Sequence, residues 1–140
     1  MTKVKEFMTR DVVTVERGAG IGQLAQLMRD HDIGVVPVMD GSQLAGVVTD
    51  RDIVVRALAD GRTSATAGEL VSGKPICLAP EDDEQDAQKL MSKHDVRRLP
   101  VVDQGRVVGM VSVGDLAVRT NDRIAGTVME ETGPEKRPAR

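Results

Sequence analysis

The sequence HDIGVVPVMDGSQLAGVVTDRDI, residues 31–53, recurs as HDVRRLPVVDQGRVVGMVSVGDL, residues 94–116, at a constant offset of 63 residues and without a gap. Eight of the 23 aligned pairs are identical, and eight of the other fifteen exchange one aliphatic residue or methionine for another, or Thr49 for Ser112. The register continues outward, since Met28 falls on Met91. A unit of about sixty residues leaves much of its apolar surface wet, so the two copies are expected to close their sheets against each other. The chain is therefore predicted to form one pseudo-symmetric domain.

The composition limits the classes of protein to which the chain can belong. Its 140 residues, 40% of them hydrophobic, are enough to bury the core of one domain. A net charge of −3, with both signs scattered, argues against nucleic acid as a partner. The apolar runs are too short to cross a membrane, and residues 1–10 carry charges instead of the apolar middle of a secretory signal. We therefore expect a cytoplasmic protein without membrane contact.

Each half is predicted to fold as strand, helix, strand, strand, helix. Periodicity places helices at residues 21–31 and 49–61, and in the second half a helix that carries Ala87, Leu90 and Met91 and another that opens at Ser112. The β-branched runs place strands at residues 12–15, 35–39, 45–48, 99–102 and 107–111. Near-continuous aliphatic residues in these strands imply burial on both faces, one against the helices of the same unit and the other against the sister sheet. The fold class is thus α/β (α+β), with two pseudo-symmetric β-α-β-β-α units packed through their sheets.

Composition also divides the chain into segments. The first unit is predicted at residues 1–61 and the second at residues 69–122, joined by a polar linker at residues 62–68. Residues 123–140 are read as a C-terminal extension, disordered from about residue 132.

The ordered set of motifs, occurring twice, resembles the tandem cystathionine β-synthase (CBS) domain pair, also called a Bateman module. IGVVPV and VRRLPV enter the second strand of each unit, and GVVTDRDI and GMVSVGDL leave the third. The resemblance covers roughly residues 4–119. It implies a stand-alone, non-catalytic sensor that homodimerises, binds AMP, ADP or ATP in its clefts without a required cofactor, and signals to an unknown protein partner.

Two hydroxyl–acid pairs, Thr49 with Asp52 and Ser112 with Asp115, have the spacing of a helix capping box. Capping alone is one explanation of them. The resemblance implies a second, in which each aspartate accepts hydrogen bonds from ribose hydroxyls while the hydroxyl and the free N–H groups of the first helical turn face ribose or phosphate oxygens. The two roles are compatible.

The segment that enters the second strand of each unit is a candidate wall for adenine. A turn and a stiffened strand entry explain its glycine and prolines equally well. The resemblance to CBS pairs implies that backbone groups near the first strand complete this wall and form hydrogen bonds with the edge of the base. The residues concerned are Ile33, Gly34, Val35, Pro37, Val96 and Pro100 in the wall, and Thr14, Val15, Cys77 and Leu78 near the first strands.

Arg97 and Arg98 replace Gly34 and Val35 and form the main chemical difference between the halves. One interpretation is that they are solvated or form a salt bridge with an acid of the other unit. The other is that they bind the phosphate of a ligand in the second cleft.

His31 and His94 are the only histidines and occupy equivalent positions, each followed by aspartate. They are read as histidines that end helices, with an inter-unit metal site as the weaker alternative. The single cysteine, Cys77, excludes an intrachain disulfide and is read as a small buried residue in preference to a reactive one.

No Gly-rich phosphate loop, nucleophile–base set or closely spaced metal ligands are found, so the chain is not expected to be an enzyme. Two functions remain: an adenine-nucleotide sensor, or a ligand-free structural or adaptor dimer that keeps the fold through its capping boxes. A metal-binding protein of the same family is the third reading.

Overall fold

The computed structural model describes residues 2–71 and 75–124 of the chain. In the first half, strand β1 (Val15–Glu16) is followed by helix α1 (Ile21–His31) and by strands β2 (Val35–Asp40) and β3 (Gln43–Thr49). The sheet order is β1-β2-β3, with β1 parallel to β2 and β3 antiparallel to it. The expected order of elements in this half is confirmed.

The second half repeats the arrangement. After the short helix α2 (Ala67–Leu70) come α3 (Glu84–His94), β4 (Arg98–Asp103), β5 (Arg106–Ser112) and α4 (Val113–Ile124). β4 and β5 are antiparallel, and Leu78 forms a parallel bridge to Val101 where the first half has β1. Residues 125–140, which contain the stretch predicted to be disordered, lie outside the described residues.

The first strand is shorter than the predicted span of residues 12–15. Upstream of β1 the chain leaves the first sheet, because Thr9 pairs with Met110 of β5 through reciprocal backbone hydrogen bonds of 2.9 Å. The amide of Val12 then closes a local turn onto the carbonyl of Arg10. The strand therefore begins only at Val15, once the chain has crossed from one half to the other.

The helix predicted after β3 is irregular. It begins as α-helix at residues 50–51, continues as a π-helix over Asp52–Ala57 and ends as a 3-10 helix over Leu58–Asp60. Its middle carries three consecutive β-branched residues, Ile53 to Val55, which are poor formers of regular α-helix.

Each half has its own hydrophobic core, and each core includes a segment from outside the span predicted for its unit. Val4 and Met8, from the N-terminal 3-10 helix (Val4–Glu6) and the residues after it, are buried with Leu78, Leu99 and Val111 of the second half. Ala65, Ala67 and Leu70 are buried in the core of the first half. The stretch predicted as a polar linker thus contributes apolar side chains to a core. The N-terminal segment therefore packs on the second half, and the segment that follows the first half packs back on the first.

Candidate functional site

Two cavities lie between the halves of the molecule. The first, which we call the side cavity, has a volume of about 230 Å³. The second, the central cavity, has a volume of about 650 Å³. The side cavity is lined by Thr9, Asp11, Val12, Val13, Ile33, Val35, Pro37, Arg98, Met110, Ser112 and Asp115. The central cavity is lined by Gly34, Val35, Val47, Thr49, Asp50, Arg51, Met91, Ser92, Asp95, Val96, Arg97, Arg98, Ser112, Val113 and Gly114.

The predicted capping boxes are present at both helix starts. The amide of Asp115 donates to Ser112 Oγ at 3.1 Å, and the amide of Ser112 donates to Asp115 Oδ2 at 2.9 Å. Thr49 and Asp52 make the same reciprocal pair at 3.1 and 2.8 Å. Each acid is therefore held in place through one carboxylate oxygen, Oδ2, which leaves Oδ1 as the oxygen that can serve another partner.

Several first-turn amides that the ribose reading required for phosphate oxygens are already engaged. The amides of Asp50 and Val113 donate to the carbonyls of Gly34 and Arg97, both at 2.9 Å. The amide of Arg51 donates to the carboxylate of Asp50. With the capping bonds added, these donors are satisfied by protein atoms, which corrects that part of the prediction. An anion near these helix starts must therefore be held mainly by side chains.

The structure groups the predicted site residues across the halves. Asp115 and Ser112 of the second half share the side cavity with Ile33, Val35 and Pro37 of the first. Sequence reasoning had placed Asp115 with Val96 and Pro100 of its own half. Val96 instead lines the central cavity, where it meets Gly34 and Thr49. Of the two arginines predicted for the second cleft, Arg98 lines the side cavity with Asp115, whereas Arg97 lines the central cavity.

The backbone near the first strands is less available than predicted. Val15 is buried in the first core, and Leu78 in the second. The amide of Leu78 donates to the carbonyl of Pro100, and its carbonyl accepts from Val102, so its N–H cannot read a base. Thr14 is exposed. In the side cavity, Val12 and Val13 form this wall instead. The sequence analysis did not select them because it placed them inside the first strand, which in the structure begins at Val15.

Cys77 is half-buried, and the structure favours its unreactive reading. Burial raises the pKa of the Cys77 thiol, and the nearby charge of Asp82 raises it further. A raised pKa keeps the thiol protonated at neutral pH, where the thiolate is the reactive form.

Asp52 lies outside the linings of both cavities. Its Oδ1 atom is 3.5 Å from Arg56 Nη1, which also donates to the carbonyl of Leu70. By the offset of 63, the positions that match Thr9 and Asp11 of the side cavity are 72 and 74, which lie outside the described residues. The ribose site predicted around Asp52 therefore stays a prediction.

The two histidines are exposed and are the last residues of α1 and α3, as the helix-ending interpretation predicted. Each is followed by an aspartate in the left-handed region, Asp32 at φ 54° and Asp95 at φ 53°, which caps the helix through its backbone amide. Within residues 2–71 and 75–124, no group of three or more His, Cys, Asp or Glu side chains is arranged to hold a metal ion. The repeated His-Asp pair is thus accounted for by helix termination, and the prediction that the histidines form no tight zinc site stays open.

Sequence reasoning also missed Thr9, Asp11 and Met110 as lining residues of the side cavity. A signal for Asp11 was present, because it precedes the apolar pair Val12–Val13 at the start of the repeat. Its place in the same cavity as Asp115 depends on the crossing of residues 9–13 between the halves, which no local pattern predicts.

The comparison with family models returns the CBS domain at residues 4–58 and again at residues 67–129. The chain belongs to the CBS domain family. Two matched copies in one chain make it a CBS domain pair, as the motif resemblance predicted. Among helices within the described residues, none is long and apolar enough to span a membrane.

Two relatives of similar length support the assignment to the CBS family. The CBS domain-containing protein YhcV of Bacillus subtilis is 40% identical over 131 residues, which cover 92% of this chain and 94% of YhcV. Hypoxic response protein 1 of Mycobacterium tuberculosis is 38% identical over 120 residues, which cover 84% of each chain.

Solved structures of CBS proteins share the fold. Hypoxic Response Protein I, crystallised with two coordinated zinc ions, has a TM-score of 0.78 at 37% identity and covers 85% of this chain and 99% of its own. The CBS domain pair of MJ0100, in complex with 5′-methylthioadenosine and S-adenosyl-L-methionine, has a TM-score of 0.79 at 27% identity, covering 88% and 98%. CBSX2 in complex with AMP has a TM-score of 0.76 at 25% identity, covering 89% and 99%.

Proposed function

We propose that this CBS pair is a non-catalytic regulatory module that binds an adenosine-containing ligand in its side cavity. The observation that carries the proposal is the carboxylate of Asp115, which is anchored through Oδ2 and lines a cleft in which six of the eleven lining residues are apolar. An apolar cleft with a few placed polar groups is the usual form of a small-molecule site. Two CBS proteins of the same fold are described with adenosine-containing ligands, which supports this choice of ligand class.

In this proposal the base lies between aliphatic side chains. Ile33, Val35 and Pro37 supply one wall and Val12 and Val13 the other, since the chain contains a single aromatic residue. Hydrogen bonds from the two ribose hydroxyls to Asp115 are charge-assisted, which makes them stronger than neutral ones. Recognition of the sugar therefore depends on the carboxylate more than on any one wall residue.

We also propose that the module is a homodimer. Val55 and Val118 occupy equivalent positions by the offset of 63, and they are 46% and 53% exposed although both are large and apolar. Val54 and Leu58, one helical turn apart, are also about half exposed. Exposed aliphatic residues on both terminal helices of the repeat are typical of an interface. A cytoplasmic location and an unidentified protein partner remain predictions of the sequence.

Thermal unfolding with adenosine, AMP, ATP, 5′-methylthioadenosine and S-adenosyl-L-methionine, each at millimolar concentration, tests ligand binding. A ligand at a hundred times its Kd stabilises the folded state by about 2.7 kcal/mol, which raises the melting temperature measurably. The rise should be lost or greatly reduced in Asp115→Asn. The matched control is Asp103→Asn, which makes the same chemical change at the far end of β4. If no compound in the series raises the melting temperature of the wild type, the ligand-free adaptor is the better description.

A further inference from the structure

The N-terminal segment, residues 3–10, docks on the second half through few contacts. Val4 is fully buried there, and its amide donates to the carbonyl of Asp82 at 2.7 Å. Thr9 exchanges two backbone hydrogen bonds of 2.9 Å with Met110. The segment forms a single turn of 3-10 helix and contributes no strand to either sheet. Elements with so few contacts open locally at a lower free energy than that of global unfolding, so the segment can leave while both sheets stay intact.

The sulfur of Met8 is closely packed in the docked segment. It is the atom that lies nearest to the position of a β-carbon at residue 109, so the thioether fits because that residue is glycine. Position 71 is equivalent to position 8 by the offset of 63, and Val71 lies against Gly46 in the same way. The two halves therefore share this contact, but only the contact on the second half contains sulfur.

A sulfoxide at position 8 does not suit the docked segment. Oxidation converts the apolar thioether into a polar group whose oxygen needs space and a hydrogen-bond donor. The neighbouring amides of Thr9 and Met110 already donate to each other's carbonyls. A polar group buried without a donor is unfavourable, so the sulfoxide favours the released segment, in which water solvates it.

The other methionines of the described residues are placed differently. Met28 and Met91 are buried in α1 and α3, and Met39 and Met110 are half-buried in β2 and β5. Each of these four lies in a long helix or strand of one half. Within the part of the chain that the structure describes, Met8 is therefore the buried methionine that the release of one terminal segment exposes.

We propose that Met8 is a peroxide-sensitive modification site, and that its sulfoxide keeps the N-terminal segment released from the second half. In the reaction with hydrogen peroxide, the sulfur lone pair attacks one oxygen, an S–O bond forms and the O–O bond breaks. The departing hydroxide takes the proton of the transferred hydroxyl and leaves as water. The sulfur is oxidised by two electrons and the peroxide is reduced. The inference does not depend on a ligand in either cavity.

Limited trypsin digestion of the full chain, before and after treatment with hydrogen peroxide, measures release, because cleavage after Lys5 or Arg10 requires an undocked segment. Peptide mass spectrometry measures the sulfoxide at each methionine in the same samples. Cleavage at these two sites should rise about tenfold or more as Met8 is oxidised, while cleavage after Lys89 of α3 changes less than about twofold. Methionine sulfoxide reductases with a thiol reductant should reverse the rise. Complete oxidation of Met8 without increased cleavage, or oxidation no faster than that of the two methionines buried in α1 and α3, would overturn the inference.

Variants, each compared with itself before and after peroxide, assign the effect to one residue. Met8→Val introduces the residue found at the equivalent contact of the first half, and its cleavage should not respond to peroxide. Met8→Gln introduces a permanent polar group and should be cleaved without peroxide as fast as the oxidised wild type, with unchanged cleavage after Lys89. Met110→Leu and Cys77→Ser remove two other oxidisable side chains of the second half, and both should respond as the wild type does. Loss of the response in either of these two variants, or a normal response in Met8→Val, would contradict the role of Met8.

Discussion

Met8 lies against Gly109 so closely that a β-carbon at position 109 would overlap with the Met8 side chain. The contact joins the N-terminal segment to β5 of the opposite half, and Val71 lies against Gly46 in the same way at positions displaced by 63. At Gly109 the glycine is therefore required by the crossing segment that packs on it, whereas at Gly46 the same close approach adds to a backbone φ of 159°.

We expect Gly109→Ala to destabilise the protein by roughly 1–3 kcal/mol, because the added methyl group forces Met8 out of a well-packed site. The measurement is urea unfolding followed by circular dichroism. Met8→Ala alone should also destabilise, and the double variant should lose less than the sum of the two. Gly22→Ala in α1 is the matched control, since no atom lies near its β-carbon position and alanine favours helix. Strict additivity of the two losses would show that Met8 and Gly109 do not interact.

The capping box at Ser112 and Asp115 allows stability to be separated from binding. Ser112→Ala removes the acceptor of the Asp115 amide and should lower the free energy of unfolding by roughly 0.5–2 kcal/mol. Asp115→Asn should change stability little, because asparagine can still accept from the Ser112 amide, and should weaken nucleoside binding by roughly 1–3 kcal/mol. Chemical unfolding and calorimetry on both variants measure the two quantities. A large loss of stability with normal nucleoside binding in Asp115→Asn would leave the carboxylate with a capping role alone.

The ion pairs of Glu81 predict a pH-dependent attachment of the N-terminal segment. Lys3 and Lys5 contact the Glu81 carboxylate at 2.6 and 2.7 Å and hold its pKa at about 2, below its usual 4.5. Since the folded state favours the ionised carboxylate, its contribution is complete above about pH 4.5 and is lost as the pH falls toward 2. The groups are fully solvent-exposed, so the effect is small and sensitive to salt.

We therefore expect the melting temperature of Glu81→Gln to lie slightly below that of the wild type at pH 6 and low salt. The gap should narrow as the pH falls below about 4.5, and 1 M NaCl should abolish it. A gap that is unchanged at pH 3 or in 1 M NaCl would mean that the side chain acts through packing and not through charge.

The exposed valines on the last helix of each half test the proposed dimer. Val55→Asp and Val118→Asp should each convert a dimer into a monomer of 15.0 kDa, because a charge buried in an apolar interface is strongly unfavourable. Light scattering at micromolar concentration gives the mass. Ala25→Asp is the matched control, since Ala25 is exposed, small and lies on α1. A wild type that is already monomeric would exclude the dimer.

Much of this architecture was predictable, because it depends on local patterns. The period of apolar residues predicted a helix from Ile21 to near His31, where α1 lies, and the β-branched runs predicted β2 to β5 within two residues at each end. The spacing of Ser112 and Asp115 predicted a reciprocal cap because its hydrogen bonds join residues three apart. The repeat itself predicted two similar halves, and the resemblance of its motifs predicted the CBS pair.

What the tertiary structure alone decided is which residues of the two halves meet. Asp115 faces Ile33 and Pro37 and not Val96 because residues 9–13 cross between the sheets and close the side cavity. Arg98, at the start of β4, lines both cavities together with Val35 of β2 and Ser112 of β5. The hydrophobic pattern specifies that a face is buried but not which partner covers it, since an aliphatic surface gains nearly the same free energy against any apolar surface of matching shape.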